Sequence, residues 1–197
     1  MKTTTSILLT VIFTTLSIQA NAQRNYAVAK STFEVAGTSN IHDWTMKSTE
    51  GNGVINLTVI DSKIIEINSI NITLPAESLK STKTSMDDVA YETLDTKTYK
   101  NIKYVLKAVN KVNETTWNLT GTYTIAGISK DFRTQINVTA NNGFFVLKGS
   151  NQITFADFGM SPPTAALGVV KAGKELTLIF NIVLNDYTKN ENVLVIK

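Results

Sequence analysis

The sequence predicts an all-β fold: a single antiparallel barrel of roughly eight strands with one short helix near residues 85–95. Three observations carry this reading. Apolar and polar residues alternate at period two along most of the chain after residue 30. Short turn signals separate the alternating runs. One segment alone shifts to a helical period.

Trp117, Leu119, Gly121, Tyr123 and Ile125 share one face, and Asn118, Thr120, Thr122 and Thr124 share the other. Phe132, Thr134, Ile136 and Val138 oppose Arg133, Gln135, Asn137 and Thr139 in the same way. Ile102, Tyr104, Leu106 and Ala108 form a third row, and Leu176, Leu178, Phe180, Ile182 and Leu184 a fourth. A sheet with one dry and one wet face requires this alternation. Between Ile64 and Leu74 the apolar parity changes, from Ile65 and Ile67 to Ile70, Ile72 and Leu74. One residue of slip turns every side chain to the other face, so a β-bulge is expected there. Turns are expected at Gly51-Asn52-Gly53, Ala126-Gly127 and Asn141-Asn142-Gly143.

In STKTSMDDVAYETLD, Met86, Val89, Ala90, Thr93 and Leu94 fall on one helical stripe. Ser85 with Asp88 three residues later resembles a capping box, and Asp87 and Asp88 suit the positive end of the helix dipole. About eight strands with one dry face must close into a barrel or pack as a two-sheet sandwich. Both satisfy the pattern.

The N-terminus reads as a leader rather than as fold. Lys2 precedes the apolar run Ile7–Ile18, and Ala20-Asn21-Ala22 supplies the small residues of a cleavage site. A signal peptide over residues 1–22, cut between Ala22 and Gln23, is therefore expected. A dozen apolar residues fall short of the roughly 20 that span a bilayer. With Cys 0 in the chain, no disulfide, thiol chemistry or lipoprotein anchor is available. Export without disulfides points to the periplasm, with secretion as second choice. The net charge is only +3 with scattered lysines, which excludes a nucleic-acid footprint.

His42 is the one histidine, in Ser39-Asn40-Ile41-His42-Asp43-Trp44. Neighbours on an extended chain point to opposite faces, so Asp43 is badly placed to orient that ring. No nucleophile elbow accompanies it, and one His without Cys is a poor start for a metal site. The stretch reads as a corner in which Ser39, Asn40 and Asp43 bond local backbone, with Trp44 packing into the interior or its mouth. His42 is kept as a polar contact at that mouth. The loop DFGMSPPTAALGVVKAG (157–173) reads either as a lid on a cavity entrance, with Met160 and Leu167 as adaptable apolar contacts, or as a loop packed on the barrel end as ordinary core. The helix stripe with Met86 and Leu94, and the inward aromatics Phe33, Tyr104, Phe132, Phe155 and Phe158, are core or cavity wall.

Four segments in order carry a resemblance. They are STFEVAGTSNIHDWTMKSTEGNGVINL (31–57), AESLKSTKTSMDDVAYETLDTKTYKNIKYVL (76–106), LTGTYTIAGISKDFRTQINV (119–138) and ITFADFGMSPPTAALGVVKAGKELTLIFNIVL (153–184). Together they resemble the YceI-like, polyisoprenoid-binding family. Lys100 stands where that family carries a proline, and Ala156 where it carries an arginine before D-F-G. The resemblance implies one lipocalin-like barrel domain over 23–197 with a long apolar cavity. It also implies a non-enzymatic carrier for an isoprenoid-type lipid such as a polyprenyl phosphate, quinone or carotenoid precursor. No cofactor or metal is called for. Transient contact with a membrane surface and a homodimer are both left open. The competing expectation is a filled barrel acting as a structural or stress-related interaction module with no small ligand.

Overall fold

The structure is a computed structural model, and it describes residues 23–141 and 144–186. The expected signal peptide, 1–22, and the Asn142-Gly143 part of the third turn lie outside the described residues.

Ten strands and one α-helix follow in chain order. They are β1 (Gln23–Ser39), β2 (Trp44–Ser48), β3 (Asn52–Ile60), β4 (Lys63–Pro75), α1 (Thr84–Thr93), β5 (Asn101–Lys111), β6 (Thr116–Ile125), β7 (Ile128–Asn141), β8 (Phe144–Thr154), β9 (Thr164–Ala165) and β10 (Val170–Asp186). Eight of them run β1-β3-β4-β5-β6-β7-β8-β10, and β10 returns to β1, so the sheet closes as an antiparallel barrel. The sandwich alternative is thereby excluded. Closure pairs β1 with β10, whose edges an open sheet would expose, the usual liability of a single sheet.

β1 is the seam. One side pairs with β10 from Tyr26 to Ser39. The other side pairs with β3 over Gln23–Ala27 and with β2 over Phe33–Gly37. At the break between those two partners Ser31 is buried, and its hydroxyl donates to the Gly51 carbonyl at 3.1 Å. β2 does not continue onto β4. Instead Lys47 and Lys80 exchange backbone hydrogen bonds of 2.8 Å, and β4 pairs with β5 only over Asn71–Pro75. The segment Ala76–Lys100, with α1 at its centre, fills the wall at that level.

The β6–β7 hairpin has the expected two-residue turn. Ala126 and Gly127 both take positive φ, 47° and 75°, which matches the twist of the flanking strands. The parity change in β4 comes from two register shifts, opposite Asn56/Leu57 and Thr58/Val59. They turn Ile64, not Ile65, inward: Ile65 is 44% exposed, so its expected place in the apolar row is corrected. A further shift between Leu106 and Ala108 turns Ala108 outward and brings Val109 to the core, correcting the third row at its last member.

α1 is also capped differently from expectation. Lys83 is its N-cap, and no side chain caps it there. The buried carboxylate of Asp87 accepts from the Ser81 backbone N–H at 2.7 Å, tying the first turn to the incoming chain. A true capping box occurs elsewhere. Thr154 Oγ1 accepts from Asp157 N–H at 3.2 Å, and Asp157 Oδ2 accepts from Thr154 N–H at 2.7 Å. It opens the one-turn helix Phe155–Phe158, which ends on Gly159 at φ 66°.

At the lower pole the lumen is solid. Tyr26, Leu57, Ile67, Trp117, Phe145 and Leu184 are buried there, with Tyr26 and Phe145 edge-to-face at 5.4 Å. The Arg24–Asp186 ion pair at 3.2 Å clips the chain ends of β1 and β10 beside this plug. The upper pole gathers the β1–β2 corner, the α1 segment, the β6–β7 turn and the loop 159–169.

The ion pair Lys130–Asp157 and the Thr154 N–H hold the Asp157 carboxyl below its ordinary value. A depressed folded-state pKa contributes stability above the unfolded pKa, and that contribution is lost as pH falls through the folded value. Asp157→Asn is therefore expected to cost stability near neutral pH, with the gap to wild type narrowing below about pH 4. Denaturant titrations at neutral and acid pH check it; an identical gap at both would remove the pair from the stability of this corner.

Candidate functional site

Above the plug the barrel is hollow. A cavity of about 670 Å³ runs from mid-lumen to the upper pole, within the range typical of ligand pockets. Its depth is formed by Ile55, Ile72, Leu119, Ile136, Leu147 and Ile182, one or more from nearly every barrel strand. Its upper wall is the inner face of α1, where Met86, Val89, Ala90 and Leu94 point in. Its rim takes residues from the β1–β2 corner and from Pro163–Ala166.

The predicted site residues divide cleanly. Phe33, Trp44, Met86, Leu94, Tyr104, Phe155 and Met160 line the cavity, and His42 stands at its rim. Phe132 and Phe158 do not reach it. They stack on one another at 5.9 Å and pack behind Tyr123, whose ring meets Phe132 edge-to-face at 5.8 Å. Leu167 is not in the wall either, since its side chain is 106% exposed. Of the loop 157–173, Met160, Pro163–Ala166 and Val170 border the cavity, while Leu167 points away from the lumen. Gln23 opens β1, and Ala22 lies outside the described residues.

Several wall residues were not picked out as site residues from the sequence. Leu119, Tyr123 and Ile136 occupy the inward rows, so strand parity names their face. What parity lacks is height along the barrel, which separates them from plug residues such as Trp117 and Val138 on the same strands.

The corner Ser39–Trp44 is held by its own side chains and by a distant loop. Ser39 Oγ donates to the His42 carbonyl at 2.7 Å and accepts from the N–H groups of Ile41 and His42. Asn40 reaches out of the corner: its Nδ2 donates to the Val169 carbonyl at 2.9 Å, and its Oδ1 accepts from Lys171 N–H at 2.7 Å. Local capping was expected of Asn40 and Asp43. Asn40 instead joins two loops, and the Asp43 carboxylate makes no hydrogen bond among the described residues. His42 Nδ1 lies 2.8 Å from the Asp43 carbonyl, which only accepts, so Nδ1 carries the proton. Trp44 Nε1 donates to the Thr38 carbonyl at 2.9 Å, and its ring lies flat over Gly37, where any Cβ would stand 2.3 Å from it. The corner is built to present the indole to the cavity.

Polar groups in the wall are few. Tyr104 and Tyr123 sit with ring centroids 4.8 Å apart, and the Tyr123 hydroxyl is 3.4 Å from Thr134 Oγ1, which accepts from Asn151 Nδ2 at 2.8 Å. The Tyr104 hydroxyl is buried with no partner among the described residues. Burial, with Tyr123 beside it, pushes that phenol well above the ordinary tyrosine range. Lys83 supplies a cation at the rim, while Lys103 stands on the exposed face of β5 beside the inward Tyr104, and Glu34 is paired with Lys47 at 2.8 Å. Among the described residues no group of three or more His, Asp or Glu side chains is placed to hold a metal ion. The arrangement offers a long apolar surface with positive charge near its rim.

Two substitutions probe this wall. A buried hydroxyl without a partner costs free energy, so Tyr104→Phe is expected to be neutral or to stabilise by up to about 1 kcal/mol. A clear loss in denaturant midpoint would show that the hydroxyl is bonded. Trp44 is half-buried, so Trp44→Ala is expected to cost roughly 2–3 kcal/mol, less than a fully buried indole; an unchanged melting temperature would show that the ring contributes no packing.

Comparison with known proteins gives a consistent result. The structure is similar to that of BcnA from Burkholderia cenocepacia, with TM-score 0.66 and 18% identity, over 78% of this chain and 95% of that one. A polyisoprenoid binding domain from Saccharophagus degradans matches with TM-score 0.61 and 12% identity, over 82% of this chain and 98% of that one. The YCEI protein of Campylobacter jejuni matches with TM-score 0.59 and 18% identity, over 70% and 81%. These likenesses concern the fold. Among curated proteins no match to the sequence is found. The model of the YceI-like domain matches residues 26–184, which is the whole closed barrel from the first buried residue of β1 to the last apolar one of β10, and the chain belongs to that family.

Proposed function

We propose that this protein is a non-enzymatic carrier that holds an amphipathic, isoprenoid-type lipid in its barrel, and that it works in the periplasm. The observation that supports it most is the half-filled lumen: a solid plug below and an apolar cavity of about 670 Å³ above, reached from one end. A barrel that served only as a structural module would gain stability by filling that space with side chains. A hollow apolar volume is maintained for something that enters it.

The chemistry selects the class. With an almost wholly apolar wall, binding energy comes from area removed from water, about 25 cal/mol per Å². A branched hydrocarbon chain supplies that area without needing polar contacts along its length. Met46, Met86 and Met160 in the wall are flexible enough to follow such a chain. Lys83 at the rim suits a polar or anionic head left near water. The Saccharophagus neighbour, described as a polyisoprenoid binding domain, supports the same class. Periplasmic residence rests on the leader read over residues 1–22 and on the absence of cysteine.

Solvent extraction of the purified protein followed by mass spectrometry is expected to recover an isoprenoid lipid, and the delipidated protein to take up solanesol from detergent. Leu119→Trp, which projects an indole into the cavity, is expected to lower that uptake while the protein still melts cooperatively. Recovery of no lipid together with no uptake would overturn the reading.

A further inference from the structure

We infer that the upper pole of the barrel carries a membrane-docking tip, made of Ile41, Leu167 and Val169, through which the lipid cargo passes directly between bilayer and cavity. The inference rests on the lipid-carrier reading and adds where and how the cargo enters. Among the described residues these three are the most exposed large apolar side chains: Leu167 at 106%, Val169 at 66% and Ile41 at 59%. They stand on two loops that are far apart in sequence and are tied together by Asn40, through its bonds to Val169 and Lys171. Single exposed apolar residues are ordinary on a protein surface, but the three extremes held on one pair of joined loops are not.

The backbone holds the tip in an unfavourable shape. Ala166, Leu167 and Gly168 take φ values of 50°, 55° and 87° in succession. Only the glycine does so freely, and leucine in the left-handed region is uncommon. Strained backbone persists where the surroundings impose it, and such sites cluster where a protein binds. Here the effect is to turn the Leu167 side chain out to water, while its neighbours Ala165, Ala166 and Val170 face the cavity rim.

A bilayer is the occupant that fits. The same two loops supply the rim itself, through Ser39, His42 and Thr164, so whatever covers the tip also covers the cavity entrance. A lipid cargo has to leave a membrane at that entrance without its tail crossing water. Lys83 on the rim and Lys171 beside the tip add attraction for anionic headgroups, with Asp43 the carboxylate next to His42 on the same corner. Gln23 and Asp186, the ends of the described chain, lie at the plug, the pole opposite the tip. Three apolar side chains give only a weak, reversible hold, which a carrier that must depart requires.

The test compares the wild-type protein with the combined variant Ile41→Ser, Leu167→Ser, Val169→Ser. Three measurements are made: co-sedimentation with vesicles of phosphatidylethanolamine and phosphatidylglycerol, solanesol uptake from those vesicles, and solanesol uptake from detergent. The variant is expected to lose co-sedimentation and to take up solanesol from vesicles about tenfold more slowly, with uptake from detergent unchanged. Wild-type uptake rates from vesicles in the variant would overturn the docking tip, as would a wild-type protein that never co-sediments. A wild-type dimer that the variant splits, with uptake from vesicles unaltered, would reassign the patch to a second copy of the chain and overturn it too. Absence of uptake from detergent in both proteins would instead refute the lipid reading, and co-sedimentation alone would then decide whether the tip meets membranes.

Discussion

The antiparallel pairing of β1 with β10 is the constraint on which everything else depends. It joins twelve partner positions between Tyr26 and Asp186 at one end and Ser39 and Ala172 at the other, and it converts a long sheet into a closed wall. Closure satisfies the backbone groups that an open edge would expose, and it forces every second side chain into one enclosed volume. The inward rows of β6, β7, β8 and β10 face one another only because this seam is made. β1 also has to serve two partners on its other side, and the buried Ser31 bridges the break between them. The wall then admits the α1 segment as an insert instead of a ninth strand, because β2 is hydrogen-bonded to Lys80 and not to β4.

The insert explains why the lumen is solid at one pole and hollow at the other. Eight strands enclose a volume that side chains can just fill. Around the plug the wall is built from strands and carries the buried rings of Trp117, Tyr26 and Phe145, the last two in edge-to-face contact. Higher up, a helix replaces strand in the wall and stands off the axis, and its inward residues are Met86, Val89 and Ala90 rather than large rings. Of the aromatics at that level, Phe132 and Phe158 stack against each other behind Tyr123, while Phe33, Trp44, Tyr104 and Phe155 stand in the wall around the open centre. The cavity is thus a consequence of wall composition and not a packing defect.

The corner Ser39–Trp44 shows how the entrance is organised. A lone histidine beside an aspartate invites a catalytic reading, yet the Asp43 backbone carbonyl, not its carboxylate, meets the ring. Ser39 folds the corner, Trp44 lies on Gly37 facing the cavity, and Asn40 fastens the corner to the loop that carries Leu167. The polar residues of this stretch build geometry, and its apolar residues meet the cavity and the solvent.

By itself the sequence determined the class of fold, the inward face of most strands, the helix near 85–95, the Ala126-Gly127 turn and the family. Those are local matters: side-chain direction follows from period, and turn type from the residues at two positions. Only the tertiary structure decided which inward residues fill space and which surround it. Leu119 and Trp117 share a strand and a face, and two residues of height separate cavity from plug. It also decided that Ile64 and not Ile65 turns inward, because bulges shift parity by amounts the apolar pattern does not record. The same holds for Leu167, which composition placed inside and which a run of positive φ angles turns outward. Height along a barrel, register shifts and loop direction are set by partners distant in the chain, and no local pattern carries that information.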